Sequence, residues 1–182
     1  AMDASCTPLV IIGSQGEWFR KRKSNYTIVH CNDKDIGANG FNHLQSLGKF
    51  RSFGFIGAGP NIYWSAHREE GFRKAARQAK NAVRIFHPKS IEINSTDTDA
   101  LSKWLQALPK PTAVMAAYDE IAAKALAICK SLGINIPRQV ALLGVDNDEL
   151  LCNTARPTIS SIQPDHEGLG RIGAEILNRM MT

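Results

Sequence analysis

Four short apolar runs in the 182-residue chain are each followed within a few residues by side chains able to grip a ligand. Asn32 and Asp33 follow YTIVH, Trp64 and Arg68 lie in AGPNIYWSAHR after SFGFIG, Tyr118, Asp119 and Glu120 follow TAVMAA, and Asp146 and Asn147 follow VALLG. Carboxylates and amides pair with hydroxyl groups, an arginine adds charged donors, and an aromatic ring covers an apolar face. A small sugar needs that combination, each hydrogen bond to a charged group being worth about 1.5–3 kcal/mol. The same acids permit a second chemistry, because Asp33, Asp119 and Asp146 could supply the carboxylates of a Mg²⁺-dependent phospho-acceptor or hydrolase domain.

Each of these residues also has a plainer reading. Asp119 stands where a helix N-cap would, and a lone aspartate there is often only a cap. Tyr63 and Trp64 fit no apolar stripe, which leaves ligand stacking and loop packing both open. GAGPNI at 57–62 resembles a dinucleotide loop, but Ile62 stands where the third glycine would have to be. P-loop, H-E-x-x-H and G-x-S-x-G motifs are absent, and His30, His43, His67, His87 and His166 show no metal-ligand spacing. Neither a cofactor, a metal nor a catalytic residue is expected.

The elements that position these residues follow from periodicity. Strands are expected at 8–12, 26–30, 52–57, 83–86, 112–117, 140–144 and 158–162. Between them run amphipathic stripes. Ile36, Gly40, Leu44 and Leu47 form one, with Gly48 at its end; Leu101, Trp104, Leu105 and Leu108 form another, opened by Ser95, Thr96 or Asp97 and stopped by Pro109. Ile121, Ala125, Ile128, Cys129 and Leu132 run up to Gly133, and Leu169, Ile172, Ile176, Leu177 and Met180 follow Pro164 and Asp165. Nearly continuous apolar strands alternating with amphipathic helices indicate an α/β protein with a mostly parallel sheet covered on both faces. Ligands of such sheets bind beyond the carboxyl ends of the strands, where the polar residues above are placed.

Composition narrows the partners. The hydrophobic fraction of 43% fills a core, no apolar run of about 18 residues exists, and residues 1–20 lack the order of a secretion signal, so neither membrane insertion nor export is expected. Cys6, Cys31, Cys129 and Cys152 are widely spaced and fit reduced thiols in a cytoplasmic protein. Of the net charge of +5, RKRK at 20–23 supplies four charges, and a run of that kind reads as a solvated loop rather than a DNA reader.

The segment from Pro111 to Met181, beginning PTAVMAAYDEIAAKAL and continuing through GINIPRQVALLGVD and PTISSIQ to the LGRIGAEIL helix, resembles the effector domain of LacI/GalR-type repressors. Upstream, NDKDIGANGFNHLQSLGKFRSFGFIG and REEGFRKA resemble the same family, and YWSAHREEGFR with LSKWLQALPKPTAV looks like the sensor domain of AraC-type xylose operon regulators. The resemblance implies the periplasmic-binding-protein-like type I fold: two Rossmann-like lobes with a small ligand in the cleft and dimerisation through the lobes. It assigns residues 1–58 to part of an N-lobe, 59–157 to a C-lobe and 158–182 to a return segment, with hinges at 57–61 and 153–157. The N-lobe is expected to be incomplete in this chain.

By position, the resemblance makes Arg68 and Asp146 the clamp on sugar hydroxyls, Asp119 the acid at a strand end, and Asn32 with Asp33 the N-lobe contribution. Trp64, Tyr118 and Asn147 complete the expected ligand set. Two departures bear on it: the family's Asp-Asn order is reversed to Asn32-Asp33, and Tyr118 replaces a common asparagine. The function implied is a bacterial regulator's sugar sensor, a pentose such as xylose favoured, working as a homodimer and reaching DNA through a separate helix-turn-helix domain. A periplasmic sugar-binding protein of a transporter shares the fold and is the first alternative.

Overall fold

A computed structural model describes residues 7–13, 26–90 and 94–182. Cys6 and the basic run at 20–23 lie outside the described residues; every candidate ligand residue lies within them. The chain divides into two compact units, one of residues 33–164 and one built from residues 1–32 with 165–182.

In the smaller unit, strands β1 (Leu9–Ile12) and β2 (Tyr26–Val29) pair in parallel, and helix α6 (His166–Met181) packs against both. Asp165 caps α6, its carboxylate accepting from the Gly168 N–H at 2.9 Å. Gly173 faces Ile12 and Val10 without a side chain of its own, so this helix lies close on β1.

In the larger unit the order along the chain is α1 (Asp33–Ser46), β3 (Ser52–Ile56), α2 (Tyr63–Gln78), β4 (Val83–Phe86), α3 (Ser95–Ala107), β5 (Thr112–Ala116), α4 (Asp119–Ser131), β6 (Val140–Val145), α5 (Glu149–Thr154) and β7 (Ser160–Ile162). The five strands form one all-parallel sheet in the order β4-β3-β5-β6-β7. Every residue of β3 and β5 is buried, as strands covered on both faces require. Phe53 meets Phe41 of α1 at 4.8 Å and Phe55 meets Phe72 of α2 at 5.7 Å, so both helices cover one face of β3. On the opposite face the Trp104 ring of α3 fills the space left by Gly54.

The expected α/β architecture is therefore present, and its strands fall within two residues of the expected bounds. Three details differ. Helices α2 and α5 occupy stretches to which the sequence pattern assigns no element. The cap of α3 is Asn94, whose side chain accepts from the Asp97 N–H at 2.9 Å, rather than Ser95, Thr96 or Asp97. The divisions at 58 and 157 are not those of the compact units, because α1 packs on α2 and so carries residues 33–58 into the larger unit. The segments 57–61 and 153–157 lie within that unit, and the Gly57 N–H donates to the Phe86 carbonyl at 2.9 Å.

The α1–α2 contact depends on two glycines. Gly37 has the Arg68 carbonyl pressed against it, and Gly71 has the Lys34 carbonyl, so a Cβ at either position would fall inside the backbone of the facing helix. Helix propensity favours alanine over glycine by about 1 kcal/mol, whereas overpacking a tight contact costs about 1–3 kcal/mol and more where backbone must move. The contact governs: Gly37→Ala and Gly71→Ala should each lower unfolding free energy in urea by at least about 2 kcal/mol. A stabilised alanine variant would show that the helices do not approach this closely.

Candidate functional site

Strand β3 has β4 on one side and β5 on the other, and the chain reverses its direction of sheet growth between them. Such a reversal opens a crevice at the carboxyl ends of the two strands. Helix α2 begins just beyond β3, which brings its second turn over this point.

Arg68 occupies that turn on the buried stripe Ser65, Arg68, Phe72, Ala75 and Ala76, and is 6% exposed. Its guanidinium is held from three sides. Nε donates to Asp33 Oδ1 at 3.0 Å, Nη1 to the Ala117 carbonyl just beyond β5 at 2.6 Å, and Nη2 to Asp146 Oδ1 beyond β6 at 3.4 Å. Trp64, one turn earlier on α2, places its ring centroid 4.8 Å from the Arg68 Cζ, within cation–π range. The Tyr118 ring meets Trp64 edge-on at 5.6 Å.

The two carboxylates on Arg68 differ in exposure. Asp33 is 5% exposed and pairs inside the protein, while the Asp146 side chain is 42% exposed and presents a charged acceptor at the surface. The backbone presents it unusually: Asp146 has φ +98° and Asn147 φ +52°. Left-handed backbone at non-glycine residues costs about 1–3 kcal/mol each and persists only where neighbouring groups impose it.

Of the eight expected ligand residues, the fold thus gathers Asp33, Arg68, Trp64, Tyr118 and Asp146. The reversed Asn32-Asp33 pair resolves in favour of Asp33 as the Arg68 partner; Asn32 is exposed and belongs to the other compact unit. Asn147 turns towards β7, its N–H donating to Ser161 Oγ at 3.0 Å and its side-chain amide to Gln163 Oε1 at 3.2 Å. Asp119 is 2% exposed and is not the cap of α4, a place taken by Tyr118. Its Oδ2 accepts from the Asp148 N–H at 2.8 Å and its Oδ1 from the Ser161 hydroxyl at 2.6 Å. Asp148 in turn caps α5 through the Leu151 N–H at 2.9 Å. The acids that a magnesium site would draw on are spread over these duties. Among the described residues no group of three His, Cys, Asp or Glu side chains is placed to hold a metal ion.

Sequence reasoning missed Ser161, the Ala117 carbonyl and Gly144. Ser161 lies in an ordinary strand, and a main-chain acceptor has no side-chain signature. Gly144 leaves room for the Asp119 carboxylate, which a Cβ there would overlap. Cys152 of α5 also lies by this carboxylate. Burial, and after it the charge of Asp119, push its thiol up to about 11, and burial does the same for Cys129.

Comparison with known proteins follows the same outline. The profile of the periplasmic binding protein-like domain family matches residues 41–182. The xylose operon regulatory protein of Escherichia coli strain K12 is 28% identical over 161 residues, covering 86% of this chain and 39% of that relative. The ribose operon repressor of Haemophilus influenzae is 28% identical over 131 residues, 70% of this chain and 38% of the repressor. The solved structure of a xylose-binding transcription activator superposes with a TM-score of 0.81 at 25% identity, over 96% of this chain and 46% of the activator. The chain thus spans about two fifths of the length of these curated relatives.

Two outcomes test the geometry. Asp33→Ala leaves a buried guanidinium without its closest counter-charge and should cost about 3–5 kcal/mol in urea unfolding. A cost under about 1 kcal/mol, the value of an exposed pair such as Lys34–Glu70, would remove the buried pair from the core of the site. The raised thiols predict that Cys129 and Cys152 alkylate at least about a hundredfold more slowly than an exposed thiol at pH 8, because only the thiolate reacts. Their labelling should speed up as pH rises towards 11; mass spectrometry showing both labelled readily at pH 8 contradicts this.

Proposed function

Because the chain belongs to the periplasmic binding protein-like domain family, we propose that it is the sugar-sensing portion of a bacterial transcription regulator of the LacI/GalR kind. The ligand on this reading is a small neutral carbohydrate, a pentose of the xylose type first among candidates, and DNA is contacted by a helix-turn-helix domain outside this chain. The regulator works in the cytoplasm as a homodimer. One observation carries the reading: a buried arginine clamped between two aspartates and roofed by an aromatic ring, at the reversal point of a parallel sheet.

Asp146 accepts hydrogen bonds from ligand hydroxyls, Arg68 holds that carboxylate in place from beneath, and Trp64 and Tyr118 offer faces for the carbon skeleton. A ligand shifts a conformational equilibrium only through contacts that differ between the two states. The Asp146 carboxylate, 42% exposed, is suited to this. Support for a regulator over a transport protein comes from the relatives, which are regulators by name, and from Cys129 and Cys152, which are buried free thiols.

A thermal-shift screen of pentoses and hexoses, followed by calorimetry, tests the proposal. A bound sugar stabilises by about 2.7 kcal/mol at a hundredfold excess over its dissociation constant. Asp146→Ala should then weaken the best sugar by about 1.5–3 kcal/mol, roughly 10- to 150-fold. Unchanged affinity in a folded Asp146→Ala protein would take Asp146 out of the site.

A further inference from the structure

We infer that Asp119 and Ser161 are positioning residues, a brace that sets the Asp146 carboxylate at the angle from which it meets the ligand. The inference rests on the sugar-binding reading and assigns to Asp119 a role other than ligand contact.

The loop from Asp146 to Asp148 has to stay in a backbone conformation that aspartate disfavours, and it contains no glycine to relieve that cost. Its three successive N–H groups show how it is held. Asp146 N–H donates to the Ile162 carbonyl at 2.9 Å, Asn147 N–H to Ser161 Oγ at 3.0 Å, and Asp148 N–H to Asp119 Oδ2 at 2.8 Å. The Ser161 hydroxyl closes the set by donating to Asp119 Oδ1 at 2.6 Å.

Each bond fixes a different degree of freedom. The Ile162 contact extends the β6–β7 ladder by one step and stops Asp146 from sliding along it. Ser161 acts as acceptor and donor at once, so Asn147 and Asp119 are coupled through a single hydroxyl. Asp119, 2% exposed and seated over Gly144, anchors the far end of the loop in the core. A carboxylate this buried with both oxygens engaged by the loop and its neighbour strand is a structural counter-group for backbone N–H donors. It sits at the start of α4, where the helix N-terminus stabilises negative charge.

The brace differs from generic packing in that its loss should act on the ligand only through Asp146. Ser161→Ala removes both hydroxyl bonds, Ser161→Thr restores the hydroxyl, and Asp119→Asn leaves one of the two donors facing an amide N–H₂. The experiment measures, by calorimetry, binding of whichever of D-xylose, L-arabinose and D-ribose the wild-type chain takes best. Backbone hydrogen exchange is followed on the same proteins.

Ser161→Ala and Asp119→Asn should each weaken binding about tenfold. Ser161→Thr should recover most of it. In an Asp146→Ala background the same two substitutions should leave affinity unchanged while lowering thermal stability as much as they do in wild type. Exchange should accelerate at the Asn147 amide in Ser161→Ala and at the Asp148 amide in Asp119→Asn. Equal loss of affinity in both backgrounds, or an unaltered affinity in Ser161→Ala beside a sugar-binding wild type, overturns the inference alone. A wild-type chain whose Asn147 and Asp148 amides are protected but which binds none of the sugars overturns the functional reading, and the inference with it.

Discussion

A guanidinium buried to 6% exposure carries a large desolvation cost unless its N–H groups are met by fixed acceptors, and three separate segments of the larger unit supply them. Arg68 draws one acceptor from the first residue of α1, one from the main chain after β5 and one from the loop after β6. These three segments are distant in sequence and meet only because a parallel sheet brings its carboxyl ends to one edge. Removing any one of them leaves a desolvated positive charge short of a partner. The ion pair therefore contributes less to net stability than to uniqueness: other ways of packing α1 or the β6–α5 loop would strand the same charge.

The dependence runs backwards from Arg68 into the backbone. For Asp33 to reach Nε, α1 must lie against α2 closely enough for main chain to touch main chain, which is why Gly37 and Gly71 face the carbonyls of Arg68 and Lys34. The residue that supplies the buried guanidinium also supplies one of those carbonyls, so helix contact and charge placement are set at the same turn. The aromatic set of Phe41, Phe53, Phe55 and Phe72 lies beneath this contact and provides the apolar burial that offsets its cost. The exposed Lys34–Glu70 pair spans the same two helices but, with both side chains about half exposed, adds little.

This arrangement explains which parts were legible in the sequence. Strands β3, β5 and β6 announce themselves because apolar residues on both faces leave an unbroken run. Helices α1, α3, α4 and α6 show stripes because their buried faces are apolar. Helix α2 did not, since polar residues sit on its buried stripe: Ser65 and Arg68 occupy positions that the apolar pattern needed, and only Phe72, Ala75 and Ala76 remained to show it. The site itself concealed the helix that carries it. Residues that act by lacking a side chain, such as Gly37, Gly71 and Gly144, or through a main-chain carbonyl, as at Ala117, leave no compositional trace. That Asp33, Arg68 and Asp146 lie together follows the strand-end pattern in the sequence, whereas the bonds of Asp119 to the Asp148 N–H and the Ser161 hydroxyl had no signal in it.

The balance of charge in the constellation bears on what it can receive. Arg68 is the cation in contact with Asp33 and Asp146, and both carboxylates already draw on it. On the sugar-binding reading proposed above, a phosphorylated sugar arriving over Asp146 would meet two carboxylates against one guanidinium, each of whose nitrogens already donates one hydrogen bond to the protein. A neutral polyol meets no such penalty, because its hydroxyls donate to the carboxylate and its C–H face packs on a ring, both without adding charge to a desolvated place. The tyrosine at 118 bears on the same preference: its ring, with its centroid 5.6 Å from that of Trp64, adds apolar surface beside the arginine. On the proposed reading, a preference for an uncharged ligand follows from how the charge of Arg68 is compensated where it is buried.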